Sequence, residues 1–201
     1  MVTKQYFEYG ERELAHLRRA DKKLAAAINE IGMIRREVNP NLFSALLDSI
    51  VGQQISAKAA ATVGNRLHAL CDGDYKKLRA LTAEEIQSCG MSMRKAGYIK
   101  GIAEAAGNGA IDFDALPSMD NAEIIQRLTA LPGVGIWTVE MLLIFSLQRP
   151  NVVSFGDLAI RRGMMKLYGL KALPKEKFLR YVKRYAPYGS VASLYLWKLS
   201  H

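Results

Sequence analysis

Apolar side chains recur at helical spacing along almost the whole chain, and no stretch alternates between apolar and polar residues for long enough to predict a sheet. The breaks fall at residues that begin or end helices, such as Asn39-Pro40, Gly73-Asp74 and the candidate N-caps Thr82 and Asp120. The pattern therefore predicts an all-α fold. The expected helices are Lys4 to His16, Asp21 to Gly32, Leu42 to Val51, Ala57 to Cys71, Tyr75 to Ala80, Ala83 to Cys89, Met93 to Asn108, Asn121 to Ala130, Ile136 to Ser146, Leu158 to Tyr168, Lys175 to Tyr185 and Tyr188 to Leu199.

Composition narrows the class of protein. Half of the 201 residues are apolar and 23% are charged, as in a folded domain or two small lobes. The longest uncharged apolar stretches, such as Met141 to Leu147, are far shorter than the ~20 residues of a bilayer span. The N-terminal stretch Met1 to Gly10 has no secretion signal, so an intracellular location is expected, cytoplasmic and nucleoid-associated in a bacterium. Two cysteines, Cys71 and Cys89, cannot complete a four-thiolate metal site.

The positive charge is concentrated at one end of the chain. Residues 1–148 carry 17 basic and 17 acidic side chains, whereas residues 149–201 carry 11 basic and 2 acidic ones. In this last segment the basic residues are interspersed with apolar ones, which indicates amphipathic helices and not a disordered tail. A polyanion is the natural partner, although a solvated basic face that aids solubility would have the same composition.

The most specific local motif is Leu131-Pro132-Gly133-Val134-Gly135, which separates two predicted helices. Pro132 ends the first helix, and both glycines can adopt a left-handed backbone that turns N–H groups outward at the start of the second. Such N–H groups have no intrahelical partner and favour an anion such as phosphate. The motif also fits an ordinary tight turn in which the glycines only allow close packing.

A second motif, Phe155-Gly156-Asp157, lies 22 residues beyond Gly135 and leads into a basic helix. With Gly52 to Ser56, Leu131 to Thr138 and Pro187 to Trp197, it gives the chain a pattern that resembles the helix-hairpin-helix DNA glycosylases, and most of all their 3-methyladenine DNA glycosylase II branch. The resemblance runs from about Phe43 to Trp197. Some relatives have an additional N-terminal β domain, which is not expected here.

The resemblance implies that Asp157 is the catalytic residue. In the family, the matching aspartate stays ionised and stabilises the positive charge that develops on the sugar as the glycosidic bond breaks. Without the resemblance, the simpler interpretation is that Asp157 is the N-cap of the helix from Leu158. The two roles are compatible.

The residue two positions after the hairpin bears on the type of reaction. By the resemblance, relatives that also cut the DNA backbone have a lysine at this position, whose amine attacks the sugar. Trp137 occupies it here, so hydrolysis without lyase activity is expected.

The resemblance also implies an aromatic pocket for the base, with Trp137 and Trp197 as walls, Met141 in place of a second hairpin-helix aromatic, and Phe155 next to Asp157. An indole face attracts a cationic alkylated base. Either tryptophan could instead be a core residue.

The expected contacts to DNA come from several short segments. Gln54 is expected to fill the gap left by the extruded base, unless its loop merely precedes an N-cap at Ser56. Gly133, Val134 and Gly135 are expected to hold one phosphate, and Lys58 and Arg161 others. The resemblance further implies a monovalent ion at the carbonyls of Leu131 and Val134, with no side-chain metal ligands and no organic cofactor.

Together these observations predict a two-lobed helical protein with the active cleft between the lobes. One lobe would comprise residues 40–150, with the hairpin at 131–135, and the other residues 1–39 and 151–201. The expected function is a monomeric, monofunctional glycosylase that removes alkylated bases of the 3-methyladenine and 7-methylguanine type from double-stranded DNA, as in base excision repair. The alternatives are a glycosylase for oxidised or deaminated bases and a non-catalytic DNA-binding protein.

Overall fold

The structure, a computed structural model, describes residues 4–201; Met1 to Thr3, at the start of the N-terminal stretch considered above, lie outside it. The described chain is mostly helical, which confirms the all-α prediction. It divides into two compact units. One unit is Asn39–Leu142, and the other combines the described N-terminal part, up to Val38, with Leu143–His201. Within residues 4–201, no helix combines the length and the apolar character needed to cross a bilayer.

The unit Asn39–Leu142 contains the middle helices of the chain. They are α3 (Leu42–Gly52), α4 (Ala57–Cys71), α5 (Tyr75–Ala80), α6 (Ala83–Gln87), α7 (Met93–Gly107), α8 (Asn121–Thr129) and most of α9 (Ile136–Phe145), with a 3-10 turn at Leu116–Ser118. Most of these helices begin at a polar side chain that accepts a backbone N–H bond. The predicted caps are confirmed, since Thr82 bonds the N–H of Glu85 and Asp120 that of Glu123.

The other unit combines the two ends of the described chain. It contains β1 (Gln5–Tyr6), α1 (Glu11–Ala20), α2 (Lys22–Ile31), β2 (Glu37–Val38), α10 (Leu158–Tyr168), α11 (Lys175–Tyr185) and α12 (Gly189–Leu199). Every residue of α12 from Gly189 to Leu196 is buried, so this helix is the centre of the unit. Glycine at position 163 allows α10 to approach it, because a Cβ there would lie 1.9 Å from the carbonyl oxygen of Leu196.

One predicted helix is wrong. Lys4 to His16 was expected to be helical, but Gln5–Tyr6 pairs antiparallel with Glu37–Val38, so the described chain also contains the small sheet that its pattern did not predict. Gly10 separates this strand from α1: its backbone is extended, and the Glu13 carboxylate accepts its N–H. Two paired residues are too few for alternation to be recognised. The other predicted helices are confirmed, with ends that differ by two residues at most.

Candidate active site

The turn between α8 and α9 has the sharp backbone that its two glycines suggested, but only one of them requires it. Gly133 has a φ of +84°, and a Cβ on it would lie 2.3 Å from the ring of Tyr98. Gly135 lies outside the left-handed region, and a Cβ on it would meet nothing within 4 Å. Of the two glycines that allow a left-handed backbone, only Gly133 adopts it, whereas the small residue at Gly135 leaves the turn open to solvent.

The start of α9 is presented to solvent. Ile136 and Trp137 are 59% and 46% exposed, whereas Val134, Thr138 and Val139 are buried. The N–H of Val139 bonds the carbonyl of Gly135 and closes the first turn of the helix. The exposed first turn of a helix favours an anion, and Trp137 is not a core residue.

The segment after α3 is tied to this turn. Gln53 donates from Nε2 to the carbonyl of Gly133, with 3.0 Å between the nitrogen and the oxygen. Lys95 donates from Nζ to the carbonyls of Val51, at 2.8 Å, and of Gln53. Burial lowers the pKa of Lys95, so the two carbonyls replace part of the hydration that its ammonium group has lost. Two loops far apart in sequence are thus held as one piece.

Gln54 is exposed, as are Ile55 and Ser56, which follow it in this segment. Its φ of +57° is unusual for a residue with a side chain, and the fixed neighbour Gln53 holds it there. Ser56 caps α4 by accepting the N–H of Ala59, and Lys58 is exposed in the first turn. The N-cap interpretation of Ser56 is confirmed, and it leaves Gln54 projecting from the protein surface.

In the other unit, Asp157 caps α10. One carboxylate oxygen accepts the N–H of Ile160 at 2.9 Å, and the residue is only 7% exposed. The N-cap interpretation is therefore confirmed. The start of a helix also stabilises the negative charge of this carboxylate.

The loop that carries Asp157 is braced by the beginning of α12. Ser190 Oγ accepts the N–H of Val152 at 3.0 Å, and its own N–H bonds the carbonyl of Pro150. Ser193 Oγ donates to the carbonyl of Val152 at 3.1 Å. Both serines are fully buried. These bonds explain why the segment Pro187 to Ser190 belongs to the pattern, a role that sequence reasoning missed.

The remaining candidates near Asp157 pack against one another. Phe155 meets the buried Phe178 edge to face, with ring centroids 5.1 Å apart, and the Arg161 guanidinium lies 5.2 Å from the Phe155 ring centroid. Arg161 is thus held against an aromatic ring. Phe155 is only partly exposed. These contacts give both residues a structural role.

Trp197 is half-buried at the end of α12 and packs on Phe145, with ring centroids 5.3 Å apart. Arg36 places its guanidinium 5.0 Å from the centroid of Phe145. Neither Phe145 nor Arg36 stood out in the sequence, because an aromatic residue on an apolar helix and an arginine next to a strand are both common. Met141, the other pocket candidate, is half-buried on α9.

The two cysteines are buried free thiols, and burial raises the pKa of each. Within residues 4–201, no three His, Cys, Asp or Glu side chains converge as metal ligands would.

Comparison with known proteins relates these features to a family. The model of the HhH-GPD superfamily of base excision DNA repair proteins matches residues 47–187. The DNA-3-methyladenine glycosylase 1 of Schizosaccharomyces pombe is 37% identical over 164 residues, which cover 79% of this chain and 72% of that protein.

Two solved structures extend the similarity to the fold. A DNA-3-methyladenine glycosidase from Bacillus halodurans superposes with a TM-score of 0.86 at 36% identity, covering 98% of this chain and 92% of the other. The Schizosaccharomyces pombe 3-methyladenine DNA glycosylase in complex with abasic DNA gives a TM-score of 0.80 at 33% identity, covering 93% and 95%.

Proposed function

The chain belongs to the HhH-GPD superfamily of base excision DNA repair proteins, and from that premise we propose that it is a monofunctional DNA glycosylase of the 3-methyladenine DNA glycosylase II type. It removes alkylated bases from duplex DNA and leaves abasic sites. The observation that carries the proposal is the Asp157 carboxylate, buried at the start of α10 and carried by a loop that Ser190 and Ser193 hold in place.

Asp157 acts on the sugar of the extruded nucleotide. When the N-glycosidic bond breaks, its electron pair leaves with the base, and positive charge develops on the sugar ring. A fixed carboxylate stabilises that charge without reorganising, which is the main advantage of a preorganised site. Water then adds its oxygen to the sugar carbon and loses a proton. A base methylated on a ring nitrogen is already cationic, so it leaves as a neutral molecule.

The base is selected by aromatic contact. Trp137 is exposed at the start of α9, and its indole face attracts a cationic ring by stacking and by cation–π interaction. Trp197, which packs on Phe145, offers a second aromatic face to a base, and Met141 and Phe155 are the other residues proposed to contact it. Because the charge that strengthens this contact also makes the base a good leaving group, 3-methyladenine and 7-methylguanine are the preferred substrates.

The reaction stops at base removal. Trp137 stands where relatives that cut the backbone have a lysine, and an indole nitrogen cannot form a Schiff base with the sugar.

DNA is held by the turn at residues 131–135 and by the segment attached to it. The exposed first turn of α9 binds a phosphate, and Gln54 enters the space left by the extruded base.

The carbonyls of Leu131 and Val134 suit a monovalent cation, because the Leu131 oxygen accepts one N–H bond, from Val134, and keeps a second lone pair. When bound, such an ion would supply positive charge to a DNA phosphate. Lys58 and Arg161 add positive charge to this surface. The protein acts as a monomer and, if its source is a bacterium, on the DNA of the nucleoid.

The test is incubation with duplexes that each contain one lesion, followed by alkali to cleave abasic sites. We expect release of 3-methyladenine and 7-methylguanine above the spontaneous rate, and no covalent adduct on lesion DNA after borohydride reduction. Faster release of 8-oxoguanine or uracil would contradict the substrate class, and a trapped adduct would contradict the absence of lyase activity. Binding without release of any base would contradict enzymatic function.

A further inference from the structure

A cavity of about 360 Å³ lies at the C-terminal end of α10, in the same unit as Asp157 but away from it. Asp157 caps the first turn of α10, whereas Tyr168 is the last residue of the helix. The rise of the helix puts the two ends about 16 Å apart. The cavity is lined by Ala20, Asp21, Lys22, Lys23, Tyr168, Tyr181 and Arg184. We call it the Tyr168 cavity. Three of its residues are cationic, and the single carboxylate is buried.

Hydrogen bonds at the single carboxylate fix the shape of the cavity. Asp21, whose side chain is only 3% exposed, accepts the N–H groups of Lys23 and Leu24 with one oxygen. The other oxygen accepts the Tyr168 hydroxyl at 2.7 Å and the Arg184 guanidinium at 3.2 Å. These donors use the negative charge of Asp21 inside the protein and hold Arg184 in place. Neither Lys22 nor Lys23 forms an ion pair with this carboxylate, whose ion pair is with Arg184.

The aromatic rings hold two of the cations close to the cavity. Tyr168 and Tyr181 stack with ring centroids 3.8 Å apart and an angle of 14° between the planes. The Arg184 guanidinium lies 5.0 Å from the Tyr181 centroid, and Lys23 Nζ lies 5.9 Å from the Tyr168 centroid. Cations held in this way lose less conformational freedom when they bind an anion.

The two lysines occupy positions that α2 itself disfavours. Lys22 and Lys23 are the first two residues of the helix, whose first turn contains no acidic residue. The partial positive charge at a helix N-terminus repels cations, so two adjacent lysines there weaken the helix. Lys23 gains a local contact, because its Nζ donates to the Tyr168 carbonyl at 3.4 Å. Within residues 4–201, the side chain of Lys22 makes no hydrogen bond or ion pair that would compensate its unfavourable position, so a demand outside the fold is the simplest reason for a lysine there.

We propose that the Tyr168 cavity is a second contact for the DNA backbone, which binds phosphodiester groups of the duplex beyond the damaged nucleotide. The proposal takes one point from the proposed glycosylase function, namely that the polyanion is DNA. Because about 16 Å separates the two ends of α10, a duplex that reaches both would have to extend at least about five base pairs, at 3.4 Å each, beyond the damaged nucleotide. The cavity would therefore add affinity for any duplex long enough to reach it, whether or not it contains a lesion.

The experiment compares the protein with its Lys22→Ser/Lys23→Ser variant on an undamaged duplex of about 30 base pairs over a range of salt concentrations. Two lost phosphate contacts reduce the slope of log K against log salt by about 2, and each contributes a factor of about 8 in affinity near 0.1 M salt. On a duplex of about 8 base pairs, too short to reach the cavity from a central site, the difference should shrink. The substitutions remove cations from a helix N-terminus, so the fold is retained.

The matched control is Lys76→Ser/Lys77→Ser, which removes two exposed lysines from the first turn of α5 in the other unit. We expect it to leave the salt slope nearly unchanged. An unchanged slope in the Lys22→Ser/Lys23→Ser variant would overturn the proposal, and so would an equal reduction in both variants, which would indicate a general effect of net charge. Base release by the unaltered protein is scored separately, so a failure here is distinct from a failure of the glycosylase function.

Discussion

The two glycines of the turn before α9 should respond to substitution in opposite ways. For Gly133→Ala, an L-residue at a φ of +84° costs about 1–2 kcal/mol. The new Cβ would also lie 2.3 Å from the Tyr98 ring, and relieving that overlap costs roughly 1–3 kcal/mol. The variant should therefore lose about 2–5 kcal/mol of unfolding free energy. Gly135→Ala meets neither obstacle and should be neutral, or stabilising by up to about 1 kcal/mol.

Urea unfolding of both variants measures this difference, and a third variant separates its two causes. Adding Tyr98→Ala to Gly133→Ala removes the overlap but not the backbone strain, so a double-mutant cycle should return a coupling of roughly 1–3 kcal/mol. A fourth variant, Gly135→Val, should fold normally and yet bind every duplex more weakly, because its side chain covers the N–H groups at the start of α9. If Gly133→Ala were as stable as Gly135→Ala, the explanation of the turn would be refuted.

Three further predictions, which use five substitutions and a control, test the surroundings of the proposed site. Ser190→Ala leaves the buried N–H of Val152 without its acceptor. It should lower the free energy of unfolding, measured in urea, by about 1–3 kcal/mol and also slow base release. The exposed control Ser118→Ala should change neither quantity. Trp137→Leu or Trp197→Leu should slow release of a cationic base about 5 to 30-fold, the loss of roughly 1–2 kcal/mol, and slow release of neutral bases less; equal losses for both kinds of base would indicate a packing role. Gln53→Leu should lose about 0.5–1.5 kcal/mol of unfolding free energy and bind all duplexes more weakly. Gln54→Ala should retain its stability and lose base release. The reverse pattern would contradict the roles assigned to the two glutamines.

Local features of this fold could be predicted from the sequence because their causes are local. Helical periodicity and capping side chains such as Thr82 and Asp120 predicted nearly every helix. The N-terminal strand was missed because its pairing partner lies about thirty residues away and only two residues take part. Gly10 followed by Glu11 and Glu13 is the signal that would have placed the start of α1 correctly.

In the candidate site, too, features with local causes could be predicted and features that depend on distant residues could not. The cap at Asp157 and the left-handed Gly133 follow from the residues themselves. The contact of Gly133 with Tyr98 and the brace at Ser190 depend on pairs about 35 to 40 positions apart, and a single sequence gives no information on such pairs. Sequence reasoning therefore found the residues proposed to meet DNA and missed those that hold them in position.

The most direct test of the proposed chemistry is the rate of base release by the Asp157→Asn variant. Asparagine is as good an N-cap as aspartate, so α10 should remain intact, as thermal unfolding would verify. The negative charge at the sugar is lost, and we predict a decrease in single-turnover release of 3-methyladenine of about 100-fold or more, while affinity for DNA is kept or improved. A near-normal rate of release by a folded Asp157→Asn protein would contradict the account.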